Sequence, residues 1–322
     1  MPNEIYKGLL FIGDPHLASR VPGFRCDDYP RTALKKLAWC LKYARENKLL
    51  PAILGDLFHW PRDNANWLLA ELMAILDGEV LTIYGNHDCA TNELSDDDTL
   101  QVIVRSRRLR LVDADRPWRG WMGSRLVIVG GTSWGQRLPE RFELPEDFLI
   151  KEKPVVLWMA HHDIRFEGYE SSGRFAPSEI AGVDLLVNGH IHMPLPDAVA
   201  GATAWVNPGN IARVKFSDGT RERVPSVLRV DIDTKGVQRQ IIEVPHEKFA
   251  KVFHIDAAKT AAGATERSLF VAGLNELRTL RTEGGGGLTS FLKKNIDRYP
   301  AAVQTEILEL AKEVVPDGKV EK

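Results

Sequence analysis

The sequence predicts an α/β fold in which two β-sheets pack face to face, with helices outside. In the N-terminal half, buried apolar runs of strand length alternate with helical patterns, which indicates a parallel sheet covered on its faces. Further along, short strand-like segments bounded by Gly, Pro or Asp are so numerous that they indicate a second, packed sheet. The length of 322 residues allows one large domain, or one domain with an appendage.

Each element rests on a local pattern. Residues 8–13 read GLLFIG, an apolar run that ends in glycine and is typical of a buried strand. Apolar residues recur at helical spacing after Pro30, which suits a first helical turn, so a helix is expected over 30–46 and a second over 65–76. The other predicted strands lie at 51–55, 79–84, 109–113, 117–121, 125–130, 154–160, 183–188, 203–207, 226–233 and 237–244.

The last quarter of the chain has a different pattern. Residues 246–322 are mostly helical in pattern and carry no motif, so we expect a main domain over 1–245 and a helical C-terminal appendage over 246–322. Four consecutive glycines at 284–287 indicate a flexible joint. Residues 288–315 then form either a short docking helix or a helix that packs on the core.

Composition excludes several classes of protein. The formal net charge of −2 is not that of a protein that binds nucleic acid by bulk charge. No apolar run approaches the roughly 20 residues needed to cross a bilayer. The three cysteines are scattered and odd in number, which favours a reducing compartment, and the N-terminus lacks the features of a signal peptide. We therefore expect a cytoplasmic protein without a membrane partner.

Five short polar motifs each follow a predicted buried strand. Ligands of open α/β sheets bind beyond the carboxyl ends of the strands, so these motifs are expected to lie close together. The motifs are Asp14-Pro15-His16, Gly55-Asp56-Leu57-Phe58-His59, Gly85-Asn86-His87-Asp88, His161-His162 and Gly189-His190-Ile191-His192.

The residue types in these motifs predict a metal site. Seven of the nine histidines lie in them, whereas structural histidines would be spread more evenly. Imidazole, carboxylate and amide oxygen together suit Mn, Fe, Zn or Mg, and no cysteine stands in a ligand pattern. Two adjacent divalent metals are able to activate a water and to neutralise a phosphoryl group during transfer.

In this order, the motifs resemble those of the calcineurin-like metallophosphoesterase superfamily, D-x-H, G-D-x-x-H, G-N-H-D, H and G-H-x-H, between residues 14 and 192. The resemblance implies a four-layer double β-sandwich with flanking helices over 1–245. It also implies a centre of two divalent metals, with Mn expected ahead of Fe, Zn or Mg. The implied reaction is phosphoester hydrolysis, with a metal-bridging hydroxide attacking phosphorus in line.

The resemblance implies a metal ligand at each matching position. Asp56 would bridge both metals. The sequence leaves His161 and His162 as alternatives, and the resemblance favours His161. The implied ligands are Asp14, His16 and His192 for one metal, and Asn86, His161 and His190 for the other.

Two further residues of the third motif have implied catalytic roles. His87 would contact the scissile phosphate, either stabilising the transition state or protonating the leaving oxygen. Asp88 would orient His87 by accepting the other ring proton.

Within the superfamily, two features resemble SbcD-type DNA repair nucleases and their phage recombination counterparts. Gly-Asp-Leu-Phe-His ends in His59, which would face the active site and assist with phosphate. The Asn207-Pro208-Gly209-Asn210 segment resembles a turn that follows the last metal motif, so Asn207 and nearby Arg213 are expected to bind substrate. The resemblance implies DNA as partner and allows a coiled-coil ATPase subunit or a homodimer, although the region after residue 245 is shorter than in those nucleases.

A DNA exo- or endonuclease is therefore the first hypothesis. The alternatives are a hydrolase of small phosphoesters, such as a cyclic nucleotide or nucleotide, which the near-neutral net charge favours, and a scaffold that keeps a metal site without catalysis. If the local basic clusters grip phosphates, DNA binding will depend strongly on salt. These clusters are Arg105, Arg107, Arg108 and Arg110, and then Arg213, Lys215, Arg221 and Arg223.

Overall fold

The computed structural model describes residues 6–143, 153–234 and 236–254, together with the single positions 296 and 304. The chain divides into two compact units, Met1–Ala258 and Lys259–Lys322, and the elements below belong to the first. Apart from those two single positions, the expected joint at 284–287 and the helix at 288–315 lie outside the described residues.

Within the described residues, twelve strands form two six-stranded sheets. The strands are β1 Gly8–Ile12, β2 Leu49–Ile53, β3 Leu81–Thr82, β4 Arg110–Leu111, β5 Trp118–Met122, β6 Arg125–Thr132, β7 Val155–Ala160, β8 Leu185–Asn188, β9 Pro194–Ala200, β10 Thr203–Pro208, β11 Ser226–Asp233 and β12 Gly236–Glu243. The described helices are α1 Tyr29–Glu46, α2 Asn66–Ile75, α3 Thr99–Arg105, α4 Asp218–Glu222 and α5 Phe249–Val252.

Both sheets are mixed: the first has antiparallel strands at one side only, and the second has one antiparallel strand at each edge. The first sheet has the order β12-β11-β1-β2-β3-β4, and its parallel part is β1 to β4. The second has the order β5-β6-β7-β8-β10-β9, and its parallel part is β6, β7, β8 and β10. Parallel strands place all their carboxyl ends at one edge, which is where the polar motifs follow.

Apolar side chains fill the space between the two sheets. Successive strand residues point to opposite faces, so Leu9 and Phe11 of β1 face the second sheet, where Leu157 and Met159 of β7 meet them. The intervening residues of β1 pack on the outer side against α1, α2 and α3. Every residue of β1 is fully or nearly fully buried. The predicted α/β architecture of two packed sheets with flanking helices is confirmed.

Helix α1 holds the first motif in place from outside. Its start is fixed by Asp28, whose side chain accepts a hydrogen bond from the main chain of Arg31 at 3.3 Å, and by Pro30 in the first turn. At the same end, the buried Tyr29 hydroxyl donates to the carbonyl oxygen of His16 at 2.9 Å. Packing of α1 on the first sheet therefore also fixes the position of the loop after β1.

Three described elements, β9, α3 and the short helix α4, were not predicted. The segment of β9 contains Pro194 and Pro196, which argue against a strand, but β9 is the outermost strand of its sheet and needs hydrogen bonds on one side only. The segment of α3 is short and rich in β-branched residues, which lower helix propensity. Among the described residues, no helix combines the length and apolar character that crossing a membrane requires.

Candidate metal centre

The polar motifs converge where the carboxyl ends of the parallel strands of the two sheets meet. The main-chain N–H of His16 donates to the carbonyl oxygen of Asp56 at 2.9 Å, which joins the loops after β1 and β2. The N–H of His190 donates to Asp14 Oδ1 at 2.9 Å, and His161 Nδ1 lies 2.7 Å from the carbonyl oxygen of Leu54. These contacts tie the loops of one sheet to those of the other.

One group of four side chains contains Asp14, His16, Asp56 and His192. One nitrogen or carboxylate oxygen of each lies within 4.8 Å of the others. The Nε2 atoms of His16 and His192 face each other at 2.9 Å, and His16 Nε2 lies 3.7 Å from Asp56 Oδ2. Burial holds the pKa of both histidines well below the usual value, so both rings are neutral near pH 7.

The second group contains Asp56, His161 and His190, again within 4.8 Å, with Asn86 beside them. His161 must donate its Nδ1–H, since Leu54 offers a carbonyl oxygen, and its Nε2 lies 3.3 Å from Asn86 Oδ1 and 3.4 Å from Asp56 Oδ2. His190 Nε2 lies 2.9 Å from a carboxylate oxygen of Asp163, while its Nδ1 lies 3.0 Å from Asn86 Oδ1.

The chemistry of these atoms fits a cation. Once the outer nitrogens of His161 and His190 carry their protons, the inner nitrogens and the oxygens of Asn86 and Asp56 are all acceptors that face one another. Burial lowers the pKa of His161, but Asp56 and Asp14 outweigh it and raise that pKa to about 9. The carboxylates that hold a proton there are suited to hold a divalent metal instead.

The carboxylate of Asp14 also indicates a cation site. Burial and the neighbouring Asp56 raise the pKa of Asp14 to about 7, although His161 lowers it. Asp14 Oδ2 is buried and has no hydrogen-bond partner among the described residues. With Asp56 common to both groups, the residues form two adjacent ligand sets that share one carboxylate.

The backbone at these ligands is unusual. Four of the candidate ligands have positive φ angles, 38° at Asp14, 45° at His16, 48° at Asp56 and 68° at His190. This left-handed region is uncommon for residues with a side chain and collects at functional sites.

Two glycines give the ligands room. A Cβ on Gly85 would lie 2.1 Å from Asp56 Oδ1, and a Cβ on Gly55 would lie 2.6 Å from His161 Nδ1. Gly55 also has a φ of 87°. The glycines of the second and third motifs are thus explained by close approach of the ligands.

His59 and His87 lie beside the first ligand group. Their rings stack at 5.1 Å, and the ring of His87 lies 4.8 Å from that of His16. The main-chain N–H of His87 donates to Asp56 Oδ1 at 2.8 Å, while its ring Nδ1 lies 2.8 Å from the carbonyl oxygen of His59. Burial lowers the pKa of His59 to about 3. Both predicted catalytic histidines therefore adjoin the centre.

The role expected of Asp88 is wrong. Its carboxylate accepts hydrogen bonds from the main chain of Phe58 at 3.0 Å and of Gly85 at 2.9 Å, so it joins the second and third motif loops. The ring proton of His87 goes to the carbonyl oxygen of His59 instead. The side chain of Asp88 is fully buried.

Asn207 does not have a free side chain for substrate. It is buried, its Nδ2 donates to the carbonyl oxygens of Ile191 at 2.8 Å and Met193 at 2.7 Å, and its Oδ1 accepts from Asn188. These bonds hold the loop that carries His190 and His192. Asn207 thus positions the loop of the candidate ligands, and its contacts do not support the substrate-binding role expected from its turn.

Arg213 is also used internally. It is buried and donates to the carbonyl oxygens of Arg223 and Glu247, and these contacts do not support the substrate-binding role predicted for it. It belongs to a buried cluster of cationic side chains, most of which donate hydrogen bonds to the main chain after β10. The cluster consists of Arg25, Lys36, Arg213 and Arg223, and the carbonyl oxygens of residues 210, 211, 212 and 213 each accept a hydrogen bond from one of Arg25, Lys36 and Arg223.

The geometry distinguishes the two histidines that follow β7. The ring of His161 belongs to the second ligand group, whereas His162 packs against Phe175 with ring centres 5.6 Å apart and belongs to neither group. The main-chain N–H of His162 donates to Asn188. The structure thus places His161, the residue favoured by the resemblance, at the centre.

Sequence reasoning missed three neighbours of the centre. Asp163 accepts from His190, and its position directly after His161-His162 was an available signal. Trp134 packs its ring 4.9 Å from that of His190. Trp60 packs against His59 at 4.6 Å and is 37% exposed. For the two tryptophans, the sequence carries no signal beyond proximity to a motif.

The fold and the paired ligand groups define a class of two-sheet proteins with a metal centre at the shared edge of the sheets. Residues 8–194 match the family model of the calcineurin-like phosphoesterases. The match covers more than half of the chain, so the chain belongs to this family. No curated protein matches the chain in sequence.

Solved structures with a related fold come from several organisms. A sulfate thiohydrolase of Thermus thermophilus is 14% identical, with 74% of this chain and 57% of that chain covered and a TM-score of 0.41. An NAD nucleotidase of Haemophilus influenzae is 11% identical, with 73% and 55% covered and a TM-score of 0.40. Vps29 of Entamoeba histolytica is 14% identical, with 74% and 99% covered and a TM-score of 0.29. The chain spans little more than half the length of the first two.

Proposed function

We propose that this chain is a phosphodiesterase that cleaves DNA at the candidate metal centre with two divalent ions, Mn being the expected metal. The observation that carries the proposal is the stacked pair of His59 and His87 beside His16. With His16 these two histidines form a third group of close nitrogens, but neither belongs to the two ligand groups that share Asp56. Two further imidazoles at a metal centre are suited to act on the substrate.

Asp14, His16, Asp56 and His192, and Asp56, Asn86, His161 and His190, would hold two metal ions, which would supply activation of a water and stabilisation of negative charge on the phosphoryl group. His87 donates Nδ1–H to the carbonyl oxygen of His59, so its Nε2 remains for the substrate. We assign to His87 the donation of a proton from Nε2 to the leaving oxygen. Proton donation of this kind is worth about 10²–10⁴ in rate. His59 is neutral at pH 7 and offers one N–H to a phosphate oxygen.

Two side chains next to His59 favour a nucleic acid as the substrate. Trp60 presents an exposed ring on which a base can stack, and stacking of this kind is worth about 1–3 kcal/mol per base. Lys215 is exposed and close enough to His59 to lower the pKa of that ring, after burial and His87. A nucleotide next to the scissile phosphate would meet both.

One observation favours the second candidate, a hydrolase of small phosphoesters. Of the basic residues expected to grip DNA, Arg213 and Arg223 are buried and bonded to main-chain carbonyl oxygens. The cluster from Arg105 to Arg110 lies at the amino end of β4, away from the centre. The cationic surface beside the centre is therefore small.

Hydrolysis by purified, Mn-supplemented protein tests the proposal. Labelled single- and double-stranded DNA are assayed beside a model phosphodiester, with Asp56→Asn as the control, because Asp56 belongs to both ligand groups. We expect DNA cleavage that the variant loses almost completely. Cleavage of the model ester without cleavage of DNA would instead support the small-phosphoester candidate. Hydrolysis of neither substrate by fully metal-loaded protein would overturn both.

A further inference from the structure

A groove rich in arginine lies outside the metal centre. Its volume is about 570 Å³. Glu79 is the one acidic residue among the described residues that line it. The lining arginines, which define the arginine groove, are Arg105, Arg107, Arg108, Arg110 and Arg116.

The arginine groove lies at the amino end of the parallel strands. Its lining includes Gly78, Glu79 and Val80, which precede β3, and Arg110, which begins β4. The third motif begins at Gly85, beyond the carboxyl end of β3. Five extended residues span roughly 16 Å, so the groove is separated from the metal centre by about the length of that strand and its extension.

The arginine groove has cationic charge in excess of what its ion pairs neutralise. Arg105 pairs with Asp96, Arg110 with Glu79 at 3.1 Å, and Arg116 with Asp113 at 2.7 Å. Arg107 and Arg108 are exposed and have no carboxylate partner among the described residues; Arg108 donates only to the carbonyl oxygen of Leu76 at 3.3 Å. Two guanidinium groups without a carboxylate partner among the described residues therefore line the groove, in a chain with a net charge of −2.

The backbone at Arg107 gives a second, independent observation. Arg107 follows the end of α3 with a φ of 59°, and the N–H groups of Arg107 and Arg108 close the helix by donating to Val104 and Ile103. This is the position at which glycine is usual, because a side chain in the left-handed region costs about 1–2 kcal/mol. Arginine stands there at a cost to stability, which indicates that its side chain has a use.

We propose that the arginine groove binds a chain of phosphate groups. Guanidinium groups recognise phosphate oxygens through paired N–H donors. No aromatic side chain is found among the described lining residues, so the groove offers phosphate contacts without a surface for stacking bases. The phosphodiester backbone of DNA and inorganic polyphosphate share this chemistry. The proposal extends the proposed function only in that DNA would supply such a chain, and binding is measured separately from cleavage.

A salt series tests the proposal. The full-length chain carries Asp56→Asn so that the DNA stays uncut, and the anisotropy of a labelled single-stranded oligonucleotide reports binding. Adding Arg107→Gln and Arg108→Gln should weaken binding and reduce the slope of log affinity against log salt by about 1.4, since each neutralised phosphate contributes about 0.7. The matched control adds Arg137→Gln and Arg141→Gln, two exposed arginines outside the groove. An equal slope in both double variants would overturn the proposal, whether or not the native chain cleaves DNA.

A single variant separates binding from folding. Arg107→Gly relieves the left-handed backbone, so its unfolding free energy should equal or exceed that of the parent, while its slope falls by about 0.7. Unchanged binding in this stable variant would count against the groove. Inorganic polyphosphate and unlabelled DNA are then compared as competitors of the labelled oligonucleotide. Equal competition per phosphate would identify any phosphate chain as the ligand, and stronger competition by DNA would identify the nucleic acid.

Discussion

At the residue scale, the candidate ligands Asp14, His16, Asp56 and His190 share a left-handed backbone. For a residue with a side chain, this conformation costs about 1–2 kcal/mol. Hydrogen bonds between the motif loops maintain it, as when the N–H of His190 donates to Asp14. The centre therefore stores strain that the rest of the sandwich sustains.

This strain predicts an inverted order of stability at Asp14. In most positions glycine is less stable than alanine, but with a φ of 38° the order should reverse. We expect Asp14→Gly to be more stable than Asp14→Ala by about 1 kcal/mol. Chemical denaturation of both variants without metal measures the difference, and greater stability of Asp14→Ala would show that the backbone there is not strained.

A second residue-scale prediction concerns His87. It contributes no atom to the two ligand groups that share Asp56, so His87→Ala should retain the metals of the native protein. Its rate of hydrolysis should fall about 10²–10⁴-fold through loss of the proton donor. Elemental analysis and kcat measure the two effects, with His246→Ala as a control outside the centre. If His87→Ala loses its metals, His87 is a ligand.

At the scale of elements, a pair of asparagines, the last residue of β8 and the penultimate residue of β10, holds the loop of His190 and His192. Asn188 donates to Asn207 at 3.1 Å, and Asn207 donates to Ile191 and Met193 on either side of His192. The ligand loop is thus bonded to the neighbouring strand rather than to solvent. Precise placement of His190 and His192 depends on this pair.

Replacement of Asn207 by leucine should therefore have two effects. It leaves buried carbonyl oxygens without donors, at about 1–3 kcal/mol each in unfolding free energy, and it should weaken metal binding about 10–100-fold. Denaturation and metal titration measure these effects. A change confined to KM, with stability and metal affinity intact, would restore the substrate-binding role that the structure argues against.

Whether a feature can be predicted from the sequence also depends on the element to which it belongs. The motifs predicted the convergence of the centre, because chemistry at successive strand ends has a single meeting place in a parallel sheet. The partners of Asp88, Asn207 and Arg213 were missed, because a polar residue in a loop has the same appearance whether it faces substrate or a buried main-chain group. The edge strand β9 was missed because it contains prolines. They are tolerated there because β9 has a neighbouring strand on one side only.

At the scale of the molecule, the buried cationic cluster has few acids to balance it. Arg25 pairs with Asp27 at 2.7 Å, while Lys36 donates only to the carbonyl oxygen of Ile211. Burial, and then the neighbouring arginines, lower the pKa of Lys36 to about 7. The folded chain consequently tends to release a proton that the unfolded chain keeps.

The stability of the whole domain should therefore depend on pH through Lys36. Between about pH 7 and 10 the unfolded state binds more protons than the folded state, so the unfolding free energy rises with pH, by at most about 1.4 kcal/mol per unit from this group. In Lys36→Met that contribution to the slope should vanish. Denaturation of both proteins across this range provides the measurement; parallel curves would mean that Lys36 stays charged when folded.

The pairing of β1 also has a consequence for how the protein is made. One side of β1 joins β2, but its other partner is β11, and Gly8 lies opposite Asp231, more than two hundred residues later. At ordinary rates of translation, that interval lasts roughly 10–45 s. Until β11 leaves the ribosome, β1, which is buried along its whole length in the folded domain, has an open edge. Nascent chains that stop short of Ser226 should therefore be strong substrates for chaperones and prone to aggregate.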